Sequence, residues 1–332
     1  MKLGTRAMKV ITIEDHFTTP MARDLLPEAT PAQRHHREEM NRLLGFDSDE
    51  ALLDMAEGRI AAMDAAGIDF QVMSMTAPGC QGYEAAQSVP LARDANDRMH
   101  EAIKSHPDRL GGFAALPTAD PAEAIRELER AVTKLGLEGA LINGHTRGSY
   151  LDDRKYWGLF DCAQALDVPM YLHPTRQPKA VMDAMFGDYP ELSGAAWGFS
   201  ADTGAHYLRL VFAGVFDEFP RLKIILGHNG EGLPFIMERM NAHTVMDARR
   251  RKLKKTPLEY LRDHLLVTTS GNFSVPAFVG MFMALGADRV MFSVDWPYER
   301  NDEAMAFLGK LPLNEADRAK ISHGNAERIL KL

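Results

Sequence analysis

Eight short runs of apolar and β-branched residues punctuate this chain, each followed by a stretch of helical periodicity, and nothing else in it limits the possible folds so tightly. The runs are Val10–Glu14, Phe70–Thr76, Gly112–Leu116, Gly139–Asn143, Met170–His173, Ile224–His228, Leu265–Thr269 and Val290–Asp295. Several are apolar throughout, as in Lys223-Ile-Ile-Leu-Gly-His228, which is the pattern of a strand covered on both faces. Strands alternating with helices predict parallel βα units, and eight such units close into an α/β fold, the (β/α)8 TIM barrel. A barrel of this kind uses 332 residues as one domain, here 1–332.

Helix punctuation agrees with this reading. Asp120 stands as an N-cap before Pro121, and Gly136 ends the same helix. Residues 51–66 repeat apolar positions at helical spacing and stop at Gly67. Segments 20–50 and 175–203 exceed ordinary βα connections, which predicts lid-like insertions over the barrel mouth.

Composition excludes several function classes. No run of 18 or more apolar residues is present to span a bilayer, so no membrane partner is expected. Met1 to Val10 carries Lys2, Arg6 and Lys9 without an apolar core behind them, which is no secretory signal, and Met8 is a candidate start. Cys80 and Cys162 lie far apart with no partner motif, so neither a disulfide framework nor a thiolate cluster is expected, and a cytoplasmic location follows. A net charge of −8 argues against nucleic acid, whose affinity comes from Lys and Arg on phosphates; the basic run Arg249 to Lys255 reads as a solvated helix end.

The ionisable residues fall in one place. Glu14 and His16 follow the first strand, His173 ends the fifth, His228 the sixth and Asp295 the eighth. In a barrel the carboxyl ends of the strands converge on one cavity, so five ligands or proton carriers from distant sequence would meet there. Glu14 and His16 are two apart on an extended segment and point the same way, as two ligands of one ion must. Imidazole nitrogens and carboxylate oxygens without thiolates suit one divalent ion, Zn2+ or Mn2+.

These residues resemble the amidohydrolase superfamily over nearly the whole chain, from Ile11 to Leu330. Glu14-Asp15-His16 replaces the usual His-x-His of the first strand, and that exchange is similar to the decarboxylase branch holding γ-resorcylate, 2,3-dihydroxybenzoate and 5-carboxyvanillate decarboxylases. Gly227-His-Asn-Gly-Glu-Gly-Leu-Pro234 and Phe292-Ser-Val-Asp-Trp-Pro-Tyr298 extend the match, while Asp15 and Asn229 depart from the residues usual at those positions. The resemblance implies a mononuclear site in which Glu14, His16, His173 and Asp295 bind the metal, with His228 and Glu231 beside it as a hydrogen-bonded pair. Asn143 stands where two-metal members often carry a modified lysine, which disfavours a second ion. It also implies non-oxidative decarboxylation of a hydroxylated aromatic acid of dihydroxybenzoate or carboxyvanillate type; for that reaction Asp295, protonated on substrate binding, is the candidate proton donor to the ring carbon.

For the substrate's carboxylate, Arg59 and Arg239 are candidates because a guanidinium pairs with it in bidentate fashion. Thr76, Asn143, Phe199 and Tyr298 lie at or near carboxyl ends and are candidates to line the ring pocket. A hydrolase or hydratase with a metal-activated water fits the residues alone as well. Relatives imply a homodimer or homotetramer, with Met237, Met240, Met246 and the basic run as a candidate contact.

Overall fold

The computed structural model describes residues 8–332, so the amino-terminal reading of residues 1–7 lies outside them. Eight strands run parallel and in sequence order: β1 (Ile11–Phe17), β2 (Phe70–Met75), β3 (Leu110–Ala115), β4 (Gly139–Asn143), β5 (Pro169–His173), β6 (Lys223–Leu226), β7 (Leu265–Thr268) and β8 (Val290–Met291). The strand at each end of this order is joined by the segment after β8. Ser293 Oγ accepts from the amides of Ile13 and Glu14 at 3.0 and 2.7 Å, and the Asp295 amide donates to the Glu14 carbonyl at 2.8 Å.

Two apolar layers follow from strands covered on both sides. Ile11, Ile13, Val72, Phe113, Leu141, Tyr171, Ile225, Leu266 and Met291 fill the barrel, drawing on every strand, and Ala326, Ile329 and Leu330 of the last helix plug its lower end. A larger layer lies between the strands and the surrounding helices. The helix Pro121–Leu135 has the caps its sequence calls for: Asp120 Oδ1 accepts from the amides of Ala122 and Glu123, and Gly136 takes φ 72°.

Three expectations are corrected. The helix expected over 51–66 is two, Ser48–Leu53 and Glu57–Ala66, because Asp54 ends the first and its carboxylate accepts the amides of Ala56 and Gly58, both at 2.8 Å. The sixth and eighth ladders stop at Leu226 and Met291, short of His228 and Asp295, which take positive φ of 51° and 84° where no strand continues. Met237 is buried and Met240 half-buried, so of the three methionines offered as a contact only Met246 is exposed on the helix Leu233–Arg250. The insertion over 20–50 is helical and packs Phe46 against Trp296, ring centroids 4.6 Å apart; that over 175–203 carries the helix Lys179–Phe186. Both cysteines are free, and among the described residues no helix is long and apolar enough to cross a membrane.

Candidate metal centre

Glu14 and His16 reach the top of the barrel from β1, His173 ends β5 and Asp295 follows β8, and one ligand atom of each lies within 4.8 Å of the others. His16 Nε2 is 3.0 Å from Asp295 Oδ1, and His173 Nε2 is 3.5 Å from Glu14 Oε1. Glu14 Oε1, His16 Nε2 and Asp295 Oδ1 are buried with no hydrogen-bond partner. Buried polar atoms are nearly always paired, so three orphans turned on a common centre fit a bound cation. Donors at about 2.1 Å from one ion are at most about 4.2 Å apart, so this set closes on an ion with inward movement of a few tenths of an ångström.

Three of the four donors are oriented from behind. His173 Nδ1 meets Asn143 Oδ1 at 2.9 Å, and because the Asn143 amide nitrogen is committed to the Met75 carbonyl at 3.1 Å, the hydrogen belongs to Nδ1. That leaves the Nε2 lone pair free, and burial holds the His173 pKa well below its ordinary value, as a neutral ligand requires. His16 Nδ1 is 3.2 Å from Ser74 Oγ. Glu14 Oε2 accepts from Tyr171, Ser270 and, at 3.0 Å, Thr268, which turns Oε1 to the centre. Burial raises the Glu14 pKa, so this carboxylate binds a cation at the expense of a proton. At Asp295 burial works against the charged form, and contacts from His16 and His228 outweigh it and lower the pKa.

His228 and Glu231 form the expected pair, Nδ1 to Oε1 at 2.8 Å, with Ser200 Oγ donating to the other Glu231 oxygen at 2.7 Å. His228 Nε2 faces Asp295 Oδ2 at 3.6 Å and Glu14 Oε1 at 3.7 Å. Burial opposes a charge on His228, but the carboxylates of Glu231 and Glu14 overcome it and raise the pKa well above normal. The backbone that permits this pairing is left-handed over five residues, His228, Asn229, Gly230, Glu231 and Gly232, with φ of 51°, 58°, 80°, 53° and 75°. Left-handed backbone costs a non-glycine residue about 1–2 kcal/mol, so the three side-chain-bearing positions store strain beside the cluster. Asp295 and His228 are the open side, with side-chain exposures of 14% and 19% against 0% for Glu14 and His16.

The expected substrate contacts divide. Tyr298 stands at the open side, its ring 5.7 Å from that of His16 and its hydroxyl 2.5 Å from Thr76 Oγ1. Asn143 serves His173, as above. Arg59 is buried beneath the site, its nitrogens on the carbonyls of Asp54 and His16 and on Gln71 Oε1, so it reaches the ligands through the His16 backbone. Arg239 is exposed on the helix Leu233–Arg250, and Phe199 is half-buried in the first turn of the helix Gly198–Ala213, next to Ser200. Sequence reasoning missed Tyr171, Thr268, Ser270, Ser74 and Ser200; it also missed Glu299, whose pKa burial and the nearby Asp295 charge push up to about 7.

Residues 16–332 match the family described as Amidohydrolase. The chain belongs to the amidohydrolase family. Among curated members it is 40% identical over 296 residues to the gamma-resorcylate decarboxylase of Polaromonas sp. (strain JS666 / ATCC BAA-500), covering 85% of this chain and 89% of that one. Among solved amidohydrolase structures it superimposes on a dihydroxybenzoic acid decarboxylase from Polaromonas sp. JS666 with bound manganese and the inhibitor 2-nitroresorcinol, at TM-score 0.87 and 36% identity over 98% of this chain and 97% of that one. It likewise matches a 5-carboxyvanillate decarboxylase from Novosphingobium aromaticivorans complexed with manganese and 4-hydroxy-3-methoxy-5-nitrobenzoic acid, at TM-score 0.89 and 32% identity over 99% and 97%.

Proposed function

We propose that this amidohydrolase-family protein is a metal-dependent carboxy-lyase that removes CO2 from a hydroxylated aromatic acid without an oxidant. The observation that carries this is the set of orphaned buried donors on Glu14, His16 and Asp295, closed by His173 and flanked by the His228–Glu231 pair. Its relatives' activities support the reaction class. Glu14, His16, His173 and Asp295 would hold one divalent ion, Mn2+ by the metal its structural relatives carry and Zn2+ by ligand chemistry. When bound, that ion supplies positive charge that orients the acid and stabilises its ring oxygen as a phenolate.

The rest is work for this chain's own side chains. The depressed pKa of Asp295 makes it a carboxylate before substrate arrives, so its proton comes with the substrate, from the hydroxyl ortho to the carboxylate. Asp295 then delivers that proton to the ring carbon bearing the carboxylate, the bond from that carbon to the carboxylate breaks, its electrons restore the aromatic ring, and CO2 departs. His228, fixed by Glu231, holds Asp295 or the departing carboxylate from the open side. Tyr298 and Thr76 are proposed at the ring, and Arg239 at the substrate's charge in a homodimer or homotetramer.

The test is a spectrophotometric screen of Mn2+- and Zn2+-loaded protein against 2,6-dihydroxybenzoate, 2,3-dihydroxybenzoate, 5-carboxyvanillate and salicylate, with chelated protein as control. Loss of one acid with CO2 release, abolished by chelation and restored by metal, is the expected result. A tightly held metal with no turnover of any of the four would replace this reading with a hydrolase or hydratase.

A further inference from the structure

The left-handed turn from His228 to Gly232 is held to its surroundings by few bonds. Its first amide donates to Ser270 Oγ at 3.4 Å, a long contact, and the Gly230 amide closes the turn on the Gly227 carbonyl at 2.7 Å. Among the described residues, the one side-chain hydrogen bond from this turn to another element, apart from Glu231 with Ser200, is that of Asn229, whose amide nitrogen donates to the Asn272 carbonyl at 3.1 Å. Asn229 is 1% exposed, and its Oδ1 has no partner among the described residues. A flipped amide would set two oxygens against each other at Asn272, so only one orientation pairs.

The loop that receives this bond also borders the acid. Gly271, next to Asn272, donates its amide to the Val294 carbonyl at 3.1 Å, one residue before Asp295. A methyl on Gly271 would lie 2.9 Å from His228 Cδ2 and 3.2 Å from Asp295 Oδ2, so this loop is wedged between the two side chains. Asparagine suits position 229 twice: among residues with a Cβ it tolerates positive φ best, and it carries the donor the Asn272 carbonyl needs.

We propose that Asn229 is a positioning residue, which docks the left-handed turn onto the Gly271–Asn272 loop and so sets the His228 imidazole against Asp295. Among the described residues its side chain hydrogen-bonds to the Asn272 carbonyl and to none of the metal donors. Its effect therefore falls on turnover, and metal content and substrate affinity are unchanged. The kinetic part of the proposal rests on the decarboxylase reading; the structural part does not.

The test uses the metal-loaded full chain carrying Asn229→Gly, which keeps the left-handed backbone and removes the tether, and Asn229→Asp, which keeps shape and φ tolerance but has no donor. Both should lower kcat by about tenfold or more, the range seen when a residue that orients a site residue is lost, with KM within about twofold and metal stoichiometry at wild type. Combined with Glu231→Gln, the Asn229→Gly loss should not multiply, because both act through one imidazole. Wild-type kcat in either single variant overturns the proposal, as does a loss that tracks metal content or Tm. Should the wild-type protein decarboxylate nothing, crystal structures of wild type and Asn229→Gly still decide: a His228 ring moved away from Asp295 upholds the positioning role, and an unmoved ring overturns it.

Discussion

Tyr171→Phe isolates how much of the metal affinity is built behind the donors. Tyr171 lies wholly buried in β5, inside the barrel, with its hydroxyl on Glu14 Oε2 and 2.8 Å from Thr268 Oγ1. Three hydroxyls, from Tyr171, Thr268 and Ser270, converge on that one oxygen while Oε1 stays unpartnered. A cation needs Glu14 ionised, and burial opposes ionisation, so these donors supply the stabilisation that makes the carboxylate available. A hydrogen bond to a charged group contributes about 1.5–3 kcal/mol, and about 1.4 kcal/mol is tenfold in a binding constant. Removing one donor of three, with only an oxygen lost from the core, should therefore weaken metal binding about 10- to 100-fold. Competition against a chromophoric chelator measures this directly, with the Tm of the metal-free variant as control for packing. Affinity within twofold of wild type would refute the argument, by showing that Thr268 and Ser270 saturate Glu14 alone.

Asp295→Asn should cut turnover by about 10^2- to 10^4-fold, the range for a lost general acid, while circular dichroism and Tm show an intact fold; activity within tenfold of wild type removes its proton-donor role. Gly271→Ala places a methyl 2.9 Å from His228 Cδ2 at φ +59°, so kcat should fall while a crystal structure shows the imidazole displaced, and unchanged kcat with an unmoved ring would contradict the wedge geometry. Burial pushes Glu138 up to about 7 from an ordinary 4.5, although the Gly112 amide donates to it at 2.6 Å. The folded state thus holds more protons than the unfolded one between about 4.5 and 7, and stability falls as pH rises through that window. In Glu138→Gln the Tm difference between pH 5 and pH 8 should shrink; an unchanged difference would place the pH dependence elsewhere.

The barrel was legible because strands covered on both faces leave continuous apolar runs, as in residues 224–226 and 140–142. The donor cluster was legible because a polar residue just beyond such a run sits at one end of the barrel. Their partners were less so, since a hydroxyl in a strand reads as packing until the register is known. Tyr171 carried a signal nonetheless, for it stands two residues before His173 and so shares its face of β5. Asn143 is register-paired with His173 across β4 and β5, which brings its side chain onto that imidazole. Arg59 follows the helix break at Asp54, and its guanidinium lies on the His16 carbonyl, a contact that no sequence spacing shows.

The same logic explains why His228 and Asp295 lie beyond their ladders. A strand residue is committed to the pleat, with its side chain either in the barrel or against a helix, whereas a residue beyond its ladder is free of that alternation. Leaving the ladder at Leu226 and Met291 frees the backbone to take positive φ at both positions, and strained backbone then aims the imidazole and the carboxylate at each other, 3.6 Å apart, on the side of the cluster that remains open. Of the proposed ligands, Glu14, His16 and His173 stay on strands. The groups proposed to face substrate and handle a proton, Asp295 and His228, sit on connections with positive φ, a division that agrees with the proposed roles.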